Sequence, residues 1–382
     1  MVKKYKPAIL ALIVFIISGL VLISILSRQI KYNDSEKENN KSVEIDRSNS
    51  TPKSSYELNN QRPVNPEKNK STDYIRKSAD KKNLIETQVK SFAESFYSNN
   101  MDQLNRLAGS IFNLGQKAIP ELLNIISDQS HDPLFRKMAF ELVRDIGLSS
   151  KDVELLTEMA RNKNENSIIR GEAVWALGFT GSQDAIEPLI DFLSDKKEEN
   201  RIRKLAATSL GLLDAKQAEY VLIETLNNRE NSSRVRAASA EALGLINNPL
   251  NSEILQNSIH DQSWEVQISS IKALAHVDDE SSSAALQKKL IKQIQNEKKD
   301  VNDAIVKSTI DSLVLLNSET SVPVLKEILK GKDYYYSALS GNALGELGDP
   351  RSIPVILEVL KTANDPFQVR LLEEALKKLN GK

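Results

Sequence analysis

The pattern of apolar and polar positions changes twice along this chain. Residues 8–27 form an apolar run that contains no charged residue, AILALIVFIISGLVLISILS. Residues 28–80 lack apolar periodicity and are rich in Asn, Ser, Lys, Glu and Asp. From residue 81 onward, apolar residues recur at the three- and four-residue spacing that is typical of amphipathic helices. The pattern predicts a transmembrane helix, a polar linker and a helical domain over 81–382.

The apolar run is long enough to cross a bilayer, because twenty helical residues span about 30 Å. A basic head, residues 1–7, precedes the run and carries Lys3, Lys4 and Lys6. By the positive-inside rule this head stays in the cytoplasm, which places the helical domain on the periplasmic or extracellular side. A cleaved signal peptide is the alternative, but the apolar region of such a peptide is shorter, about 7–15 residues. We therefore expect an uncleaved single-pass anchor at 8–27.

The linker, residues 28–80, is predicted to be disordered. A segment this polar cannot bury enough apolar surface to offset its chain entropy. We expect it to act as a spacer between the membrane and the helical domain. The abundance of Lys, Asn, Ile and Ser in the whole sequence favours a bacterial source.

The helical part repeats itself. Four stretches align with one another: LFRKMAFELVRDIG (134–147), IIRGEAVWALGFTG (168–181), RIRKLAATSLGLLD (201–214) and RVRAASAEALGLIN (234–247). Their arginines lie 34, 33 and 33 residues apart: Arg136, Arg170, Arg203 and Arg236. A second apolar pattern of about ten residues separates these stretches, often with proline in its first turn: Pro120, Pro188, Pro323 and Pro354. A period of this length with two helices per unit predicts an all-α solenoid of about eight helix pairs.

Small residues and leucines predict how the pairs stack. The second helix of each pair carries alanine or serine where close packing needs little volume: Ala173, Ala176, Ala206, Ser209, Ser239 and Ala242. A leucine follows at a fixed position and is expected in the core: Leu177, Leu210, Leu243, Leu274, Leu313 and Leu344. Stacked neighbours then share one continuous hydrophobic core.

The repeating arginines have two interpretations. An acidic or amide residue lies eight positions before each of them: Asp128, Asn162, Asp195 and Asn228. We expect these side chains to pair with the arginines as a ladder between turns and helices. The alternative is an exposed arginine stripe that binds anions.

The repeat unit resembles a known family. Residues 234–244 (RVRAASAEALG) and 341–357 (GNALGELGDPRSIPVIL) are similar to HEAT repeats, in particular to the HEAT-like repeats first associated with phycobilisome lyases. Ser239 stands where the family pattern prefers alanine. The resemblance covers roughly residues 102–382 and implies an α-solenoid that offers interaction surfaces. It also implies two enzymatic relatives, the bilin lyases and a di-iron hydroxylase whose ligands are paired His-Glu motifs.

The composition favours binding over catalysis. The sequence contains no cysteine and three histidines, His131, His260 and His276, and none of these precedes a glutamate. We therefore predict no catalytic residues, no metal and no cofactor. The formal net charge of -1 argues against a general nucleic-acid binder.

A row of residues on the second helices is the predicted binding site. Seven residues lie five positions after the arginine position in successive repeats: Glu141, Trp175, Thr208, Glu241, Lys272, Asp311 and Asn342. Most of them break the apolar pattern, so we expect a ridge that faces a groove. Trp175 either anchors a partner there or fills a gap between helices. Trp264 and Tyr334 to Tyr336 lie near helix starts and are expected to pack against the neighbouring repeat.

These observations favour a membrane-anchored scaffold or adaptor that holds a protein partner on the surface of the solenoid. An enzyme related to the HEAT-like lyases or hydroxylases is the alternative. A purely structural element of the cell envelope is a third hypothesis.

Overall fold

The computed structural model describes residues 83–277, 280–295 and 303–381. The predicted head, membrane segment and linker, residues 1–7, 8–27 and 28–80, lie outside the described residues and stay predictions. Within the described part, no helix combines the length and the apolar composition that a membrane crossing requires.

The described residues form helices and contain no β-strand. In chain order the helices are α1 (83–97), α2 (Met101–Leu114), α3 (Ile119–Ser127), α4 (Pro133–Ile146), α5 (Val153–Arg161), α6 (Ser167–Leu177), α7 (Ile186–Ser194), α8 (Asn200–Leu212), α9 (Glu219–Asn227), α10 (Ser233–Ile246), α11 (Ser252–Ser258), α12 (Trp264–Leu274), α13 (Glu280–Gln295), α14 (Asp303–Leu315), α15 (Val322–Leu329), α16 (Tyr334–Leu347), α17 (Ile353–Leu360) and α18 (Pro366–Asn380).

From α3 onward, first helices with odd numbers alternate with second helices with even numbers, which gives the pairs α3/α4 to α17/α18. Short 3-10 turns lead into most of the first helices, for example Lys216–Ala218 before α9. Pro120, Pro188, Pro323 and Pro354 each lie in the first turn of a first helix, as predicted, where a missing N–H costs no hydrogen bond. One first helix, α13, has 16 residues, in agreement with the longer interval in the sequence.

The second helices pack very closely against one another. Gly211 of α8 faces Ala242 of α10, and a Cβ at the glycine would lie 2.8 Å from the alanine Cα. The same contact joins Gly244 to Ala273 and recurs near the C-terminus between α16 and α18. Glycine at these positions therefore lets successive second helices approach to backbone contact.

The predicted core positions are confirmed. All six small residues and all six leucines that were predicted to lie between second helices are fully buried. The core continues through all the helix pairs and includes Phe92 of α1 and Leu104 of α2. The described helices thus share one elongated hydrophobic core, as a solenoid requires.

Candidate functional site

Two features repeat along the second helices, a buried ladder of arginines and an exposed row of mixed residues. The arginines of the ladder on α4, α6, α8 and α10 are 2% to 7% exposed: Arg136, Arg170, Arg203 and Arg236. This burial argues against the exposed arginine stripe, because the guanidinium groups are not on the surface.

Each of the first three arginines ties its second helix to the first helix before it. The Nε atoms donate to a backbone carbonyl ten residues earlier, at 2.7, 2.8 and 2.9 Å, with Ile126, Ala160 and Leu193 as acceptors. These carbonyls belong to the last turn of α3, α5 and α7 and have no partner within their own helices. The arginine supplies that partner, and its positive charge also suits a helix C-terminus.

The guanidinium group then reaches into the next repeat. Arg136 forms a double hydrogen bond with Glu165, at 2.9 and 2.6 Å. Arg170 pairs with Glu198 at 2.6 Å, and Arg236 pairs with Asp261. The rungs at Arg136 and Arg170 therefore each join three elements, which are two helices of one repeat and the turn of the following repeat. At Arg236 only the contact with the following turn is formed, because its Nε has no hydrogen-bond partner among the described residues.

The predicted partners of the arginines were wrong. The side chains eight positions before the arginines accept hydrogen bonds from the backbone two residues later, for example Asp128 from Ser130 N at 2.9 Å and Asn162 from Asn164 N at 3.1 Å. They shape their own turns, because a short Asp or Asn side chain bonds most easily to the nearest backbone N–H. The true partners belong to the turn of the following repeat, five or six positions before the arginine position of that repeat. They are Glu165, Glu198, Asn231 and Asp261. Their recurrence in the sequence marks a second repeating polar position, but spacing alone does not show which of the repeating positions each arginine reaches.

The paired carboxylates are held in the charged form. Burial alone would raise the pKa of Glu198, but hydrogen bonds from Arg170 and Lys163 lower it to about 2. The pKa values of Glu165 and Asp261 are also lowered against the effect of burial, in each case by the arginine of the pair.

The exposed row contains the seven predicted site residues. All seven lie on successive second helices, and each is at least partly accessible: Glu141, Trp175, Thr208, Glu241, Lys272, Asp311 and Asn342. Hydrogen bonds link the row to neighbouring helices, since Glu241 accepts from Ser269 of α12 at 2.7 Å. Asn342 accepts from Lys378 of α18 at 3.1 Å. The structure thus places these residues side by side, whereas their role in binding stays a prediction.

Trp175 packs between helices, as one of its two interpretations predicted, while its role as an anchor for a partner stays a prediction. Its ring is half-buried, with the guanidinium group of Arg144 at 4.1 Å from the ring centroid and Phe179 at 5.6 Å edge-on. Arg144 also pairs with the buried Glu172 at 3.3 Å, and burial raises the pKa of Glu172 despite the nearby arginines. The tryptophan therefore bridges α4 and α6 and still offers part of its ring to solvent.

An apolar row that the sequence analysis missed lies beside the ridge. Phe179 is half-buried, Leu212 is 45% exposed and Leu245 is 48% exposed, and the three follow α6 or end α8 and α10 at equivalent positions. A Cβ built on Gly211 would lie 3.1 Å from Leu245 Cδ1, so this leucine covers the contact between α8 and α10. The signal was present, since each residue lies nine positions after a ladder arginine.

The aromatic residues at helix starts were only partly predicted. Tyr336 is buried and donates to Asp303 at 2.6 Å, and Tyr335 stacks on Phe367. Trp264 and Tyr334, each 54% exposed, are not buried against the next repeat as expected. Both are the first residue of a second helix, α12 and α16. At this end of the helix the side chain lies outside the surface that packs against the neighbouring repeat.

The histidines lie in separate surroundings. His131 stacks on Tyr97 and hydrogen-bonds to its hydroxyl at 3.1 Å. His260 lies in the turn after α11, where burial lowers its pKa, and His276 is exposed after α12. Among the residues that the structure describes, no group of three or more His, Asp or Glu side chains has a metal-binding arrangement.

Comparison with protein families matches the repeat region. The model described as HEAT repeats matches 119–202, 160–244, 196–275 and 222–295, and the model described as PBS lyase HEAT-like repeat matches 340–362. No curated protein matches the sequence significantly.

Solved structures share the helical architecture at low identity. Escherichia coli YibA is 21% identical with a TM-score of 0.48, and the match covers 73% of this chain and 97% of YibA. Human deoxyhypusine hydroxylase is 17% identical with a TM-score of 0.32, covering 69% and 96% of the two chains. In the complex of CpcE and CpcF of phycocyanin lyase from Nostoc sp. PCC7120, the matched chain is 17% identical with a TM-score of 0.39, covering 68% and 94%. These likenesses carry no argument about activity.

The alternating helices, the recurring arginines and the two matching repeat models agree with one another. The described part of this chain is an all-α solenoid of HEAT-like repeats.

Proposed function

We propose that the protein is a membrane-anchored scaffold that binds a protein partner along the ridge and the apolar row of its second helices. The observation that carries this proposal is the exposure of Leu212 and Leu245 at equivalent positions of successive helices, beside the partly open ring of Trp175. Exposed apolar side chains in a regular row, bordered by polar residues, are typical of protein interaction sites.

Site-specific crosslinking tests this surface. A photoreactive phenylalanine analogue at Leu212 or Leu245 places the probe on the apolar row, and the same analogue at Tyr220 is the matched control. Tyr220 lies on the first helix α9 and is 79% exposed, so all three positions tolerate the probe. We expect a specific crosslinked protein from the first two positions and none from Tyr220. Equal crosslinking from all three positions would contradict the proposal.

The Trp175→Ala variant measures the contribution of the ridge. Because Trp175 is half-buried, its removal exposes Arg144 without opening the main core. We expect the crosslinking yield from Leu245 to fall about tenfold, as for a residue worth about 1.4 kcal/mol of binding. Circular dichroism of the purified variant checks that the helices are intact.

We also propose that residues 8–27 anchor the scaffold and that the solenoid faces the periplasm or the cell exterior. The sequence has no cysteine, so a single introduced cysteine can be labelled without background. A membrane-impermeant maleimide should label Tyr220→Cys in cells whose outer barrier is permeabilised, and should not label Lys3→Cys. Labelling of Lys3→Cys alone would place the solenoid in the cytoplasm, and recovery of the chain in the soluble fraction would contradict the anchor.

A further inference from the structure

The third rung of the arginine ladder differs from the others. Arg203 is 5% exposed and donates from Nε to the Leu193 carbonyl, as Arg136 and Arg170 do to the carbonyls ten residues before them. Its Nη2 donates to Asn231 Oδ1 at 2.9 Å, where the other rungs present a carboxylate. Among the ion pairs of the described residues, none includes Arg203, and its Nη1 has no hydrogen-bond acceptor there. One buried positive charge of the ladder therefore has only neutral partners.

A cavity of about 50 Å³ lies beside this guanidinium group. Arg203, Thr225, Asn228 and Asn231 line its inner part, and Lys196 and Glu224 line it from exposed positions. Arg203, Thr225 and Asn231 are each more than nine-tenths buried. Asn231 uses its Nδ2 to donate to the Thr225 carbonyl at 3.0 Å, which fixes the amide with its oxygen toward the arginine.

Several hydrogen-bond donor groups line this cavity. Arg203 Nη1, the Thr225 hydroxyl and the Lys196 ammonium group are available, and Glu224 forms no ion pair with the arginine. Burial lowers the pKa of Arg203, an effect that nearby Asp195 opposes without contact. A buried guanidinium group without an anionic partner destabilises a fold until an anion neutralises it.

The structure assigns a carboxylate-binding site to this cavity, in which a small carboxylate from outside the fold takes the position that Glu165, Glu198 and Asp261 occupy at the other rungs. The site would accept a planar carboxylate through Arg203 Nη1 and the Thr225 hydroxyl, with Lys196 at the entrance. The ligand is either a free small carboxylate or an acidic side chain of a bound protein. This inference depends on the ladder and not on the proposed binding row.

Formate is the probe that tests the site. The full chain is kept in a non-ionic detergent at neutral pH and unfolded by heat. In a series of samples, sodium formate replaces the sodium salt of a bulky morpholine sulfonate, so the sodium concentration stays constant. The sulfonate is too large for the cavity and the sodium concentration is constant. A change in the unfolding midpoint therefore reports formate binding and not a change in ionic strength. We expect the unfolding midpoint to rise saturably by about 2–4 °C.

The Asn231→Glu variant supplies the missing carboxylate from within the chain, as Glu165 and Glu198 do. Its unfolding midpoint should not respond to formate. Asn231→Asp serves the same purpose if the longer side chain prevents folding, because Asp261 already performs this role at the fourth rung. An identical formate response in the wild type and the folded variants, or no response in the wild type, would overturn the assignment.

Two capped peptides distinguish the sources of the carboxylate. Acetyl-Gly-Glu-Gly-amide and its glutamine counterpart are titrated in place of formate. Stabilisation by the glutamate peptide alone, and its absence in Asn231→Glu, would assign the site to an acidic side chain of a partner. A response to formate with none to either peptide would assign it to a free small carboxylate.

Discussion

The solenoid joins its repeats in two different ways. From α4 to α12 the connection depends on buried charges, because each arginine extends about 28 residues ahead to the turn of the next repeat, as Arg170 does to Glu198. Between the first helices α11, α13 and α15 the hydrogen bonds join neutral side chains. Gln256 of α11 donates to Ser281 of α13 at 2.6 Å, and Gln287 of α13 donates to Thr320 at 2.9 Å before α15.

The neutral connection also joins different elements. Ser252 and Ser282 lie 3.4 Å apart, and Ser283 donates to Ser318 at 2.6 Å, so hydroxyl groups link one first helix or its leading turn to the next. The charged ladder instead fastens second helices to turns. A single neutral hydrogen bond contributes about 1 kcal/mol, whereas a buried ion pair is costly to leave half-formed. The charged half is therefore the part of the solenoid that one substitution can disrupt.

The largest effect is expected from Arg136→Met. The substitution leaves Glu165 buried with an uncompensated charge and the Ile126 carbonyl without its donor. We expect the free energy of unfolding of the surrounding repeats to fall by about 3–5 kcal/mol. Urea unfolding followed by Trp175 fluorescence in a Trp264→Phe background measures this region.

Two control variants test whether the loss in Arg136→Met comes from the buried charge, and whether the neutral connection is less sensitive. The double variant Arg136→Met, Glu165→Met removes both charges and should recover most of the loss. Ser283→Ala removes one hydroxyl of the neutral connection and should cost about 1 kcal/mol. If Ser283→Ala costs as much as Arg136→Met, the two connections do not differ in the way described.

The next largest effect is expected from Gly244→Val. A Cβ at this position would lie 2.6 Å from Ala273 Cα, so the side chain forces α10 and α12 apart. We expect a loss of about 3 kcal/mol from overpacking. Gly109→Ala is the matched control, because nothing lies within 4 Å of its Cβ and alanine favours the helix by about 0.5–1 kcal/mol. Thermal unfolding that ranks the two variants in the opposite order would contradict the close packing.

A smaller effect is expected from acid. The pKa of Glu198 falls from 4.5 in the unfolded chain to about 2 in the fold, so the stability from this rung is complete above pH 4.5. It is lost as the pH decreases toward 2, on the order of 2 kcal/mol. Trp175 fluorescence in the Trp264→Phe variant should report this loss. Glu198→Gln should reduce the pH dependence in that window without removing it, because the pKa values of Glu165 and Asp261 are lowered as well.

The region around α13 should respond to alkali instead. Lys289 is buried and donates to Gln267 at 2.7 Å, and burial lowers its pKa from 10.5 to about 8. The unfolded chain therefore binds the proton more tightly, and stability increases as the pH rises from 8 to 10.5. Lys289→Met should abolish this increase in a urea titration. Lys288→Met is the matched control and should retain the increase, because Lys288 is the preceding residue and its side chain is exposed.

The sequence predicted the fold because helix periodicity and small residues are local signals. Ala242 and Leu243 were placed in the core by spacing alone, and both are buried. The partner of Arg136 was not predictable in the same way. In a repeat of about 33 residues, an acidic position of one turn and that of the next turn look alike, so spacing cannot say which of them the arginine reaches. Spacing also predicted that the seven residues of the ridge lie at equivalent positions of successive helices. It does not indicate what they bind, because a binding partner imposes no repeat on the sequence.

The smallest effect is expected from Asp128→Asn, which separates the turn residues from the ladder. Asp128 accepts from Ser130 N in its own turn and does not pair with Arg136, whose acceptors are the Ile126 carbonyl and Glu165. Asparagine preserves the hydrogen bond, as Asn162 and Asn228 already do in equivalent turns. We expect no measurable change in the urea midpoint, and a clear decrease for the isosteric change Glu165→Gln. A decrease for Asp128→Asn of the same size would return Asp128 to the ladder. The other cationic group near its carboxylate is His131 at 3.9 Å, and an accessible pair of this kind is worth much less than a buried one.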